Sequence, residues 1–81
     1  MTALEVAEIG ARLLDDAYMV WLTAESDSGR ALHAWLGSGP RNVQDAYHAY
    51  RAALDREEAA ARDLQRIAGI AEPCRALLRA G

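Results

Sequence analysis

The sequence predicts an all-α protein, an antiparallel two-helix hairpin. Its long helices cover about residues 3–36 and 41–68, a short third helix lies at the C-terminus, and the whole assembles into a helical bundle. Three observations carry this. Of the 81 residues, eighteen are alanine and ten leucine, and there are no lysines or phenylalanines; such a composition favours helix. Apolar and small residues recur at alternating spacings of four and three. A Gly37-Ser38-Gly39-Pro40 break divides two such runs. One domain spans 1–81, since 81 residues suffice for no more than one.

The first helix opens at Thr2, with Glu5 three positions on. This is a capping box, a hydroxyl for the free amides of the first turn and a carboxylate reaching back. The spaced set then runs Ala3, Ala7, Gly10, Leu14, Ala17, Trp21, Ala24, Ser28, Ala31 and Trp35. Every seventh residue from Ala3 is small, and the interleaved set carries the bulk. Glu25-Ser26-Asp27-Ser28-Gly29 has the composition of a loop, but a loop there would have to preserve the heptad phase by accident. One helix weakened at Ser26–Gly29 is the expectation, and two helices with a serine cap between them is the alternative.

Gly37 permits a left-handed closing residue, and Pro40 suits the first turn of a new helix. Asn42 with Asp45 supplies a second cap. The spacing resumes through Val43, Ala46, Tyr50, Ala53, Glu57, Ala60, Leu64 and Ile67, with Glu58 and Arg62 four apart on the outer surface. Gly69 and Pro73 are stop signals, after which Ile70, Cys74 and Leu77 would form the apolar side of the short third helix. Asp16-Ala17-Tyr18-x-x-Trp21-x-x-Ala24 also matches Asp45-Ala46-Tyr47-x-x-Tyr50-x-x-Ala53. Duplication or the shared heptad alone accounts for this.

A four-residue break makes the helices antiparallel neighbours. Alanine on both seams allows close approach, with Trp21, Trp35, Tyr18, Tyr47, Tyr50 and Leu64 filling alternate layers. Leu13, Val20, Leu22, Leu32, Leu36 and Leu54 lie beside the seam or beyond it. A chain this small seldom stabilises itself without a staple. With one cysteine and no metal-ligand spacing, association is the device left, as a homodimer or with another helical protein.

Composition narrows the function. A net charge of −3 and a pI near 5.2 lack the cationic surplus of a nucleic-acid binder. No run approaches the roughly 20 apolar residues of a membrane span. The lone Cys74 and an N-terminus without a secretory pattern point to the cytoplasm. The arginine-only, alanine-rich usage matches a GC-rich bacterial genome.

Chemistry-bearing constellations are sparse. Asp45-x-x-His48 is half of a carboxylate–histidine metal motif; its counterpart is missing, since Arg30 precedes His33 at that spacing, and both histidines fall on polar faces. Cys74 lies near a possible helix start and reads as a small core residue. No phosphate loop, zinc spacing or nucleophile–base pair is present, so no enzyme, cofactor or metal is expected.

Glu57 is the polar residue on the seam, where an unpaired carboxylate is costly. It reads as a residue fixing register, and secondarily as a ligand-binding acid, expected near Trp21 and Ala24 with Glu25 close by. Trp21, Trp35, Tyr50 and Glu57 are therefore the candidate interface or ligand-facing residues. The expected function is a non-catalytic helical-hairpin interaction module, self-associating or partner-binding; a small-molecule-binding bundle around Glu57 and the tryptophans is an alternative.

Trp35-Leu36-Gly37 resembles the Trp-x-Gly signature of small helical-hairpin proteins exported by specialised bacterial secretion systems. That resemblance implies a secreted hairpin pairing with a related chain. The family's C-terminal export motif, a tyrosine followed four residues later by an acid, has no counterpart in Arg75-Ala76-Leu77-Leu78-Arg79-Ala80-Gly81.

Overall fold

A computed structural model describes the backbone of residues 1–80 and the side chains of these except Cys74, Arg75, Leu77, Leu78 and Ala80. Two helices, α1 (Ala3–Leu36) and α2 (Val43–Ala80), pack against each other as a hairpin. The molecule is a rod of 62 × 17 × 13 Å, its length close to the ~51 Å that a 34-residue α1 requires.

α1 runs unbroken through Ser26–Gly29. Helical backbone at Gly29 needs no positive φ, and the heptad seam carries the helix across the weak stretch. At its start the Glu5 amide donates to Thr2 Oγ1 at 3.2 Å, as the capping box requires. The Glu5 carboxylate accepts from the Thr2 hydroxyl at 3.3 Å. The other end closes differently from expectation. Gly37 has φ −92° and is not left-handed. Its amide donates to the His33 carbonyl, while Ser38 donates to the Trp35 carbonyl from its amide at 3.1 Å and its hydroxyl at 2.6 Å. Serine, more than glycine, ends this helix.

α2 begins at Val43, two residues later than expected. Pro40 follows Gly39 in a turn closed by the Asn42 amide on the Gly39 carbonyl at 3.0 Å, the second turn position that proline's fixed φ suits. Asn42 then accepts the first helical bond, from the Ala46 amide.

The C-terminal expectation is corrected. Neither Gly69 nor Pro73 stops α2, and there is no separate third helix in the described residues. The seam explains this, because the four-three spacing continues past Ile67 to Ala71, which is 2% exposed. Gly69 and Pro73 both lie on the exposed side. The bond that proline cannot donate therefore leaves its carbonyl, that of Gly69, open to water. Ile70, expected on the apolar side of a third helix, is exposed instead; the Cys74 and Leu77 side chains lie outside the described residues.

The core is built of small residues. Ala7, Ala17, Ala24, Ala53, Ala60 and Ala71 are buried, with Gly10 and Ser28, and no large described side chain is fully buried. The bulky seam set behaves otherwise than expected. Trp21, Trp35, Tyr50 and Leu64 are half-buried beside the alanine layers, and Tyr18 and Tyr47 are exposed on their flank. One helix pair is only 13 Å deep. It closes around a methyl group but cannot surround an indole.

Candidate functional site

The polar seam layer is a single contact. Ser28 Oγ lies 2.6 Å from Glu57 Oε2, across the two helices, and 2.9 Å from its own helix's Glu25 carbonyl. One hydroxyl proton serves two acceptors, and the shorter distance, typical of a hydroxyl on a carboxylate, assigns it to Glu57. Glu57 thus pairs one turn further toward the loop than Ala24, the expected neighbour. This contact sets the register. Counting outward from it, Tyr18 is level with residue 67, Leu14 with Ala71, and Ala7 with residue 78. That matching explains why α2 extends to Ala80, since a helix ending at 68 would leave the first four turns of α1 without a partner.

Aromatic rings cluster at the loop end. Trp35 stacks on Tyr50 with centroids 5.5 Å apart and planes at 23°, and meets Tyr47 at 5.1 Å and 58°. Trp21 has Tyr18 beside it at 5.9 Å. Of the four candidate residues, Trp35 and Tyr50 come together, and Trp21 and Glu57 line one shallow groove with Arg51, Leu54 and Ala61. Fourteen residues, about four helical turns, separate the two tryptophans along α1, so the four do not converge on one point.

A second open groove lies on the other side of the seam, lined by Met19, Val20, Thr23 and Asp27 of α1 and Arg56, Ala59 and Asp63 of α2, over Ala24 and Ala60. Its charged rim is largely occupied locally. Asp27 pairs with Arg30 at 2.7 Å and Asp63 with Arg66 at 2.6 Å. The expected Glu58–Arg62 pair is present at 2.5 Å. All are solvent-exposed, and such pairs contribute ~0–1 kcal/mol each.

Asp45, His33 and His48 are exposed, as their helical positions require. Among the described residues no group of three metal-ligating side chains converges, and no helix is long and apolar enough to cross a membrane. Sequence reasoning missed Ser28, which it treated as a weak point of the helix. The available signal was that Ser28 and Glu57 are the two polar members of the bulky heptad sets. No family model, curated protein or solved structure matches the chain, so the site is defined by this geometry alone.

Proposed function

We propose that this chain is a non-catalytic interaction module that works by pairing its hairpin with another helical surface, foremost that of a second copy. The observation that carries this reading is the inverted distribution of side-chain size. Alanine fills the seam, while Leu4, Ile9, Leu13, Tyr18, Met19, Val20, Leu36 and Ile70 stand 45–73% exposed. Scattered apolar residues are ordinary on a surface, but contiguous ones flanking a thin core mark an interaction face. The single cysteine supports a reducing cytoplasmic setting. Sedimentation equilibrium tests the reading. A mass of at least twice the 8.8 kDa of the chain at micromolar concentration is expected, and a heat-stable monomer at that concentration overturns it.

A second reading has one observation in its favour. Trp35-Leu36-Gly37 lies at the end of α1, where the chain turns, the place the Trp-x-Gly resemblance implies. On that reading the partner is a related but different chain. An equimolar complex with such a chain, forming in preference to the homodimer, distinguishes it.

A further inference from the structure

The two sides of the hairpin are not equivalent. Beside the seam on one side, α2 presents Tyr47, Leu54, Ala61 and Ala68 at successive sevenths, every one apolar. α1 presents Leu4, Ala11, Tyr18, Glu25 and Leu32 in the same way, all apolar but one. A third apolar position beside the two seam positions is the stripe of a helix inside a bundle, wider than a two-stranded coil needs. On the other side the corresponding positions of α2 include Arg56 and Asp63.

Resting on the self-association proposed above, we infer that two copies pair through the Tyr18–Leu54 side. α1 of each lies over α2 of the other, and both turns are at the same end of a four-helix bundle. Face-to-face pairing about a twofold allows two arrangements, with turns at the same end or at opposite ends. Two features select the first.

One is size. Tyr18 and Leu22 are level with residues 67 and 63 of their own α2. In a same-end pair they therefore descend onto Ala68 and Ala61 of the second copy, large side chains over small ones. Opposite-end pairing sets α1 on α1 and α2 on α2, large on large and small on small.

The other is charge. α1 has six acidic residues against two arginines, whereas α2 has six of each. On this side α1 carries Glu8, Asp15 and Glu25 and no base. Full overlap of opposite-end copies brings Asp15 level with Glu25 of the second copy, twice by symmetry. Like charges so juxtaposed oppose association. The same-end pair avoids this by placing the acidic helix against the balanced one.

Distance measurement between spin labels separates the arrangements. The label is carried on Arg41→Cys in the turn, with Cys74→Ser removing the native thiol. Same-end copies place the turns within roughly 25 Å, given interaxial distances of 8–10 Å; opposite-end copies place them near the 62 Å length of the rod. A short distance is expected, and a long one overturns the arrangement. The face is tested by charge insertion at two exposed positions, read as the dimer dissociation constant. Tyr18→Glu should weaken the dimer at least tenfold and Val20→Glu less than twofold. The reverse order overturns the choice of face. A chain that stays monomeric before any substitution refutes the self-association itself, a failure distinct from either of these.

Discussion

The hairpin has a loop half and an open half, and they are held together by different means. Toward the loop, Trp35, Tyr47 and Tyr50 form a ring cluster, and the Ser28–Glu57 bond fixes one level against another. Toward the free ends the seam is Ala7, Gly10, Ala17 and Ala71, with Leu14 half-buried. Of the eleven large hydrophobic residues that stand exposed, only Leu36, Val43 and Tyr47 belong to the loop half. One half spends its large side chains within the hairpin, and the other holds them outward. The loop half defines the structure, and the open half is the part whose stability most depends on a partner.

The sharpest way to narrow that difference is to repair the open half. Pro73→Ala restores a helical bond and removes a ring clash, a defect of about 3 kcal/mol in a helix interior. Amide exchange in the first three turns of α1 and the last two of α2 should slow markedly, with little change near Trp35. Equal slowing at both ends would show that the halves melt as one unit.

Overpacking comes next. Ala53 is 1% exposed and meets the seam in the loop half. Ala53→Leu should cost about 1–3 kcal/mol, whereas Ala52→Leu, one residue away on the exposed surface, should change stability by less than about 0.5 kcal/mol. Thermal melts of the two compare directly, and indistinguishable curves would refute the seam assignment.

Ser28→Ala removes one hydrogen bond while Glu57 keeps access to the groove, so a loss of about 1 kcal/mol is expected. Combined with Glu57→Gln, the two effects should fall short of additive. Full additivity in the double-mutant cycle would mean that the contact is not energetically coupled.

The smallest effect is a gain. A Cβ added at Gly29 meets no atom within 4 Å, and the backbone there is helical. Gly29→Ala should therefore stabilise by up to about 1 kcal/mol. A lower melting temperature would place Gly29 in a turn and break α1 in two.

The legibility of these halves in the sequence follows the same division. α1 was readable from end to end because its heptad phase survives Ser26–Gly29 and outweighs the local composition. The end of α2 was misread because Gly69 and Pro73 are local signals, whereas what overrides them is the length of α1 opposite. The four-three spacing from Ile67 to Ala71 was visible, but its weight is apparent only once the helices are laid side by side. Trp35 with Tyr50 and the seam position of Glu57 followed from periodicity. The partner of Glu57 did not, because a serine among Ser, Asp and Gly reads as flexibility until the opposing residue is in place. The outward splay of the tryptophans is a matter of thickness, which a one-dimensional pattern does not contain.

The alanine seam has a calorimetric consequence. Unfolding raises heat capacity in proportion to the apolar surface it exposes, about 12–15 cal/mol/K per residue in ordinary domains. A hairpin whose buried side chains are mostly single methyl groups has little such surface to release, so its own melting is broad and shallow in temperature. The leucines, tyrosines and aliphatics along its flanks hold the greater reserve, and they release it only if something has covered them. Heat capacity change in this molecule is therefore chiefly a property of its contacts with other molecules.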